Sequence, residues 1–378
     1  MTPPRVVLVG AHGHGRGHLD QLAKLHAAGM VELAGVADPR PPCPEQRAAA
    51  ADAPWRRDAA SLIEALAPDL AVIVTPVHTH VELAEAAMRA GAHLLLEKPP
   101  APSLAGLDRL LSVQAETGRT VQVGFQAFGS GAVTELRRRI DAGDLGDIEA
   151  ISATGLWWRG EAYWNRAGWA GRRFLDGHDV NDGALTNPFA HAVALAVTLD
   201  GSPGDRSVRS VELDTYRTRP VEAHDTASAR IRTAHGTRVT VAATLCAEAE
   251  EDPVVVVHGS RDTATLFYTQ DRLVTAAGQA HHERTDLLEN LLGHLADPSV
   301  PLLVPLAATR AFTEVAEAVR QSPPPTPVSE DHLSGTGSAG EGGLTALTHE
   351  AAATGRLYRE LGIGWATAPA WTWTPKGS

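Results

Sequence analysis

The segment Gly10-Ala11-His12-Gly13-His14-Gly15 is the first in the chain with residue types and spacing suited to chemistry. Glycines gathered in one turn let backbone N–H groups approach a phosphate with no Cβ in the way. A dinucleotide-binding turn spaces them G-x-G-x-x-G. Gly10 and Gly15 hold the first and last places, His12 holds the middle one, and Gly13 stands beside it. Asp38 ends the next apolar run. A carboxylate there accepts hydrogen bonds from both ribose hydroxyls and repels a 2′-phosphate, which favours NAD; Arg40, two residues on, softens that preference and keeps NADP possible. His12, His14 and His18 have ligand-like spacing. They straddle a turn and a helix start with no acid or thiol nearby in sequence, so no metal is expected. Trp157, Trp158, Arg159, Tyr163, Trp164, Arg166, Trp169, Arg172 and Arg173 crowd a later segment. Sugar rings stack on aromatic faces and guanidinium forks hold carboxylates or hydroxyls. Structural packing by the tryptophans explains that segment equally well. Arg159, Tyr163 and Trp158 are the residues expected to touch a substrate.

These residues need a scaffold. The apolar run over 5–10, a helix over 17–28 and a strand over 31–37 form a βαβ unit around the glycine turn. Strands over 70–74, 93–96 and 120–124 alternate with helices over 81–90 and 103–117. That alternation predicts a Rossmann-type doubly wound parallel sheet over residues 1–125. Beyond residue 145 the pattern changes. Strands are expected over 148–158, 208–218, 227–233, 238–245, 254–258 and 263–268, mostly joined by turns, which predicts a large, mostly antiparallel sheet. Helices are expected over 183–199, 285–295 and 306–320. The expected organisation is a Rossmann domain (1–125), an α+β substrate-binding domain (126–321), a flexible Pro/Gly/Ser-rich loop (322–343), and a helix and tail (344–378) that docks back on the body.

With 378 residues the chain is large enough for two domains. Its formal charge of -12 and lack of a dense basic run argue against nucleic acid as a partner. Arg137, Arg138 and Arg139 read as a solvated helix face. No apolar run is long enough to cross a bilayer, and no export leader precedes the first strand, so a cytoplasmic protein is expected. Cys43 and Cys246 are expected to be free thiols.

The run Thr75-Pro76-Val77-His78-Thr79-His80, followed by Ala84, Ala87, Gly91 and Glu97-Lys98-Pro99, resembles the signature of the Gfo/Idh/MocA oxidoreductases. Val123-Gly124-Phe125-Gln126 and Ile140-Asp141-Ala142-Gly143-Asp144-Leu145-Gly146 resemble that family's closing strand and its bridge into the second domain. The resemblance implies a nicotinamide cofactor, a hydroxylated sugar-like substrate and a homo-oligomer, dimer or tetramer. It places Lys98 beside the nicotinamide and the reacting hydroxyl, as hydrogen-bond donor or base. Glu97 would place the cofactor ribose, Pro99 would follow a cis peptide, and Thr75, Pro76 and His80 would belong to the cofactor side, with His80 packing against the loop rather than acting in catalysis. In the second domain, Gly183 to His191 resembles the family's small-residue turn and Asp-x-x-x-His helix. His191 is then the candidate general base, with position 187 one helical turn away on the same face. Here position 187 is Asn, which cannot ionise but can orient His191 or bind substrate; Asp179 and Asp182 are candidates for the missing carboxylate.

Three functions fit this pattern: a dehydrogenase or reductase of a sugar, polyol or sugar acid; a glycoside hydrolase that oxidises its sugar transiently; and a non-catalytic dinucleotide-binding sensor. Net cofactor turnover separates the first two. Loss of function on removing the Lys98 amine separates both from the third.

Overall fold

The computed structural model describes residues 2–201, 208–329 and 343–375. The chain divides into two compact units, residues 1–125 with 287–307, and residues 126–286 with 308–378.

Unit 1 holds a six-stranded parallel sheet. Its strands are β1 (Arg5–Val9), β2 (Glu32–Ala37), β3 (Trp55–Arg56), β4 (Leu70–Ile73), β5 (His93–Glu97) and β6 (Val121–Gly124). The order β3-β2-β1-β4-β5-β6 is the doubly wound dinucleotide-binding topology. Val6, Val7 and Leu8 of β1 are fully buried, as a strand covered on both faces requires. The crossover helices are α1 (Gly15–Ala27), α2 (Pro44–Ala50), α3 (Ala59–Leu66), α4 (His80–Arg89) and α5 (Leu104–Thr117). The sequence pattern did not yield α2, α3 or the two-residue β3. α2 is short, but its entrance is capped: the Cys43 N–H donates to Gln46 Oε1 at 3.0 Å and Pro44 opens the helix.

The domain boundary needs one correction. Residues 287–307, expected in the second domain, belong to unit 1. They contain α9 (Leu287–Ala296), and they cover the edge strand β6. Gln122 is fully buried there. Its amide donates to the Leu287 carbonyl (2.8 Å) and Asn290 Oδ1 (2.7 Å) and accepts from the Val304 N–H (2.9 Å). A buried amide needs such partners, and the return segment supplies all three.

Unit 2 is built on a ten-stranded mixed sheet. In chain order its elements are α6 (Gly131–Asp141), β7 (Ile148–Trp158), α7 (Glu161–Trp164), β8 (Phe174–Leu175), β9 (His178–Asp179), α8 (Ala190–Ala196), β10 (Val208–Arg217), β11 (Thr226–Thr233), β12 (Arg238–Thr244), β13 (Cys246–Gly259), β14 (Thr263–Phe267), β15 (Arg272–Thr275), β16 (Gly278–His281), α10 (Arg310–Gln321), β17 (Thr326–Pro327), α11 (Gly343–Thr354) and β18 (Trp371–Trp373). The sheet runs β16-β15-β14-β13-β7-β12-β11-β10-β17, with β18 also on β10. Only β7–β12 and β10–β17 pair parallel, so the mostly antiparallel expectation holds.

Two further expectations change here. Residues 322–329 are not a free loop: Ser322 is buried and Thr326–Pro327 pairs with β10. The remainder of the expected loop, 330–342, lies outside the described residues. The tail does dock on its own unit. Trp373 pairs with Val211, and Trp365 packs edge-on to Tyr216, with ring centroids 5.1 Å apart. Cys43 and Cys246 are free thiols.

Candidate functional site

The glycine turn of unit 1 is shaped by close approach. At Gly10, φ is +87°, and a Cβ would lie 2.2 Å from the Val74 carbonyl oxygen. At Gly15 a Cβ would lie 2.0 Å from the Gly10 carbonyl oxygen. Neither position admits another residue. His12, in the middle place, is accommodated: its N–H donates to Asp38 Oδ2 at 3.2 Å and its ring lies edge-on to Trp55. His12 Nδ1 lies 3.0 Å from the same oxygen, without the alignment of a hydrogen bond. The N–H groups of Gly13 and His14, just ahead of α1, find no acceptor among the described residues. They remain available to an anion, which is what a pyrophosphate needs.

Asp38 is almost fully buried at the end of β2. It accepts from the Ala11 N–H (2.9 Å), the His12 N–H and the Arg40 N–H (2.9 Å), with Arg40 Nε more distant at 3.4 Å. Burial pushes its carboxyl up; the His12 ring and the Arg40 and Ala11 N–H groups outweigh it and hold the pKa below its ordinary value. Asp38 is therefore a fixed carboxylate beside the turn. Gln46 steadies the turn from α2, donating to the Ala11 carbonyl at 2.7 Å.

Glu97 ends β5 and is buried. Its Oε1 lies 3.1 Å from His18 Nε2 and 3.4 Å from His14 Nε2, and its Oε2 accepts from the Lys98 N–H at 3.1 Å. Burial raises the Glu97 pKa, but the two imidazoles pull it well below the usual carboxylate range. Reciprocally, the hydrogen bond to Glu97 raises the His14 pKa. Gly124 on the neighbouring strand makes the room: a Cβ there would sit 2.6 Å from Glu97 Oε1. The Lys98–Pro99 peptide is cis, as the resemblance implied.

His80 was expected on the cofactor side. It is 1% exposed, with Nδ1 2.8 Å from the Pro99 carbonyl and Nε2 2.7 Å from the Thr75 carbonyl. Both ring nitrogens face acceptors, which an imidazolium would satisfy fully, yet burial drives the pKa down. His80 thus ties the Thr75-Pro76 turn to the Glu97-Lys98-Pro99 turn; it positions both and is closed to a ligand. Thr79 Oγ1 reinforces the first turn by donating to Thr75 Oγ1 at 2.7 Å.

In unit 2 the candidate residues gather around Asp182. Its carboxylate is 3% exposed and accepts from Arg166 Nη2 (2.8 and 3.0 Å), the Gly171 N–H (2.8 Å) and Asn187 Nδ2 (2.5 Å). Arg166 also lies 3.7 Å over the Tyr163 ring. Burial, then the Asp182 charge, raises the Tyr163 pKa, so its hydroxyl keeps its proton. Arg159 reaches Glu250 Oε1 at 2.8 Å and stacks on Trp157 at 4.5 Å. Trp158 is 55% exposed. Of the two candidate carboxylates, Asp182 reaches Asn187, whereas Asp179 pairs with Arg320 at 3.5 Å.

The shared-face argument for Asn187 and His191 fails. Helix α8 begins at Ala190, so His191 is in its first turn and Asn187 is in the preceding turn. Pro188 explains this, because proline lacks an N–H and disfavours helical geometry at the residue before it. Sequence reasoning also missed Gln46, placed Gly124 in the closing strand without its approach to Glu97, and saw His18 only as a rejected metal ligand. The cap spacing from Cys43 to Gln46 was a usable local signal. Nothing in the spacing joined His18 to Glu97, which is 79 residues away.

Two family models match this architecture. Residues 4–125 match the Gfo/Idh/MocA oxidoreductase family model, described as an NAD-binding Rossmann fold, and residues 133–265 match the Gfo/Idh/MocA C-terminal domain. The chain is 32% identical over 148 residues to inositol 2-dehydrogenase 1 of Saccharopolyspora erythraea, covering 38% of this chain and 43% of that protein. It is 36% identical over 94 residues to dTDP-3,4-didehydro-2,6-dideoxy-alpha-D-glucose 3-reductase of Streptomyces violaceoruber, covering 25% and 28%. The chain thus spans less than half the length of either relative. The WlbA dehydrogenase of Bordetella pertussis, solved with NADH and UDP-GlcNAcA, shares the fold, with a TM-score of 0.70 at 21% identity over 85% of this chain and 96% of that one. No helix among the described residues is long and apolar enough to cross a membrane. With a glycine turn, the buried Asp38 carboxylate and an E-K-P strand end on one sheet, and both domain models matched in order, the chain belongs to the Gfo/Idh/MocA oxidoreductase family.

Proposed function

We propose that the protein is an NAD-dependent oxidoreductase acting on a secondary hydroxyl, or the matching carbonyl, of a sugar, polyol or sugar acid. The observation that carries this reading is the Glu97-Lys98-Pro99 turn, whose Glu97 is bound by histidines from the glycine turn and α1. That links the lysine's backbone to the dinucleotide turn within one unit. Bound at unit 1, NAD supplies the two-electron oxidant at its nicotinamide ring. The Gly13 and His14 N–H groups receive the pyrophosphate, and Asp38 receives the ribose hydroxyls in place of its long Arg40 contact. Lys98 donates to the substrate oxygen and stabilises the charge that develops there.

Within unit 2, His191 at the start of α8 is the residue of this reading suited to accept a proton. Asn187 orients the substrate or His191, and the Asp182 charge behind it stands in for the carboxylate absent at position 187. Arg159, Tyr163 and Trp158 contribute the substrate face. A homo-oligomer and a cytoplasmic location go with this reading.

The test is a screen of inositols, hexoses, sugar acids and nucleotide-linked sugars with NAD, followed by the Lys98→Met variant. Turnover with at least one class, lost in the variant while NADH still binds, supports the enzyme. Unchanged turnover in Lys98→Met would sink the role given to Lys98. A cofactor that binds tightly but never turns over would return the sensor reading.

A further inference from the structure

We propose that His14, His18 and Glu97 form a site for one divalent transition-metal cation, zinc or cobalt, on unit 1. Sequence spacing offered His12, His14 and His18 but no acid or thiol nearby to complete a site. The fold supplies one. His14 immediately precedes α1 and His18 lies four residues on, so helical spacing carries both imidazoles on one side. Their rings meet edge to face, with centroids 5.3 Å apart. Glu97 arrives from the end of β5, and the three donor atoms lie within 4.8 Å of one another.

Two of the three donor separations are near those of a coordination tetrahedron. Zinc bonds of about 2.0–2.1 Å to nitrogen and oxygen set the edge of a tetrahedron at roughly 3.3–3.4 Å. The two carboxylate–imidazole separations, 3.4 and 3.1 Å, bracket that edge closely. Binding replaces the His18–Glu97 hydrogen bond and the longer His14–Glu97 contact by two metal–nitrogen bonds and one metal–oxygen bond. Each Nε2 proton passes to Nδ1 of the same ring, or leaves if the ring was charged; at His18 that Nδ1 is buried without an acceptor, which weakens binding.

The donor set selects the ion. Two imidazoles with a single carboxylate suit zinc, cobalt, iron(II), nickel or copper, whereas magnesium and calcium favour oxygen ligands. Burial fits an open site. The His18 and Glu97 side chains are 10% and 6% exposed, while that of His14 is 67% exposed. The exposed imidazole gives the cation its entry path and leaves a fourth position for water. Lys98 lies near enough to influence the His14 charge, and its ammonium opposes a second cation. Binding is therefore weaker than at closed structural zinc sites. The site shares His14 and Glu97 with the glycine turn, so zinc and the dinucleotide compete for unit 1.

The same separations also suit two neutral imidazoles hydrogen-bonded to one carboxylate, and a metal titration separates the two states. The untagged full chain is titrated with cobalt(II) alone, without cofactor, and the visible d–d absorption is followed. The expected result is a band of a low-coordinate nitrogen/oxygen site that saturates at one cobalt per chain and is bleached by zinc. His14→Ala, at an exposed position that leaves the core intact, abolishes it. Glu97→Gln weakens it by removing the charged oxygen ligand. His12→Ala, outside the ligand set, retains it. No saturable band, or a band unchanged in His14→Ala, overturns the site. The titration needs no cofactor, so its failure is distinct from failure of the NAD reading.

Discussion

Gly124→Ala places one methyl group against the centre of unit 1. The added Cβ would lie 2.6 Å from Glu97 Oε1, 2.7 Å from its Cδ and 2.9 Å from Oε2. Both oxygens are crowded, so rotating the carboxylate gives no escape. To restore an ordinary contact near 3.4 Å, Glu97 must withdraw by about 0.8 Å. A free side chain would yield at small cost, but Glu97 is held by His14, His18 and the Lys98 N–H. Overpacking of a pinned group costs about 1–3 kcal/mol, and here it also displaces the Lys98 turn. The assay is urea unfolding together with NADH titration. Gly17→Ala is the control, because a Cβ there meets nothing within 4 Å and the residue is inside α1. The control gains about 0.4–1 kcal/mol and binds NADH as the parent does. If Gly124→Ala matched the control in stability and in NADH affinity, the tight placement of Glu97 would be refuted.

Three further outcomes are expected. Gln122→Met strands the Val304 N–H beneath the return segment, while Asn290 Oδ1 keeps the Leu303 N–H, lowering unfolding free energy by about 1–3 kcal/mol; no loss in urea unfolding would contradict the assignment of 287–307 to unit 1. Asp182→Asn removes the charge that faces Arg166 and costs about 2–4 kcal/mol, with altered near-ultraviolet dichroism from Tyr163 and its aromatic neighbours; an unchanged spectrum and midpoint would dismiss Asp182 as the organiser of that cluster. His224 is buried, and burial followed by the Arg173 charge pushes its pKa from 6.5 down to about 3. The unfolded chain therefore takes up the proton first as pH falls. This contribution is complete above pH 6.5 and is lost by roughly 1.4 kcal/mol per pH unit on the way to about 3. Asp225 has the opposite sign: burial raises its pKa from 3.8 to about 6, so its contribution is complete below 3.8 and is lost as pH rises through 6. The two slopes offset each other between about pH 4 and 6. His224→Gln removes one of them, and the stability difference between parent and variant across pH then reads the His224 slope alone. A flat difference would contradict a buried neutral His224.

The parallel sheet was legible because its strands are short apolar runs punctuated by glycine and by Thr75-Pro76. Its small elements were not: Trp55–Arg56 has only two residues, and α2 shows no amphipathic run long enough to stand out. The cofactor-side residues could be found because the turn and the E-K-P motif are local in sequence. Their mutual contacts could not, since His18 and Glu97, or Gln122 and Asn290, meet only through topology. In unit 2, helical spacing misplaced Asn187 because Pro188 was read through rather than as a barrier. Asp182 could be named as a candidate beside Asp179, but only the turn over 183–189 brings Asp182 to Asn187.

The central claim is that unit 1 binds a nicotinamide dinucleotide although His12 replaces the middle glycine. Its most direct test is a fluorescence titration of the full chain with NADH and, separately, NADPH, following energy transfer from the 8 tryptophans. The account predicts saturable binding of NADH, weaker binding of NADPH, and loss of NADH affinity in Asp38→Ala. Saturation by neither nucleotide would contradict it.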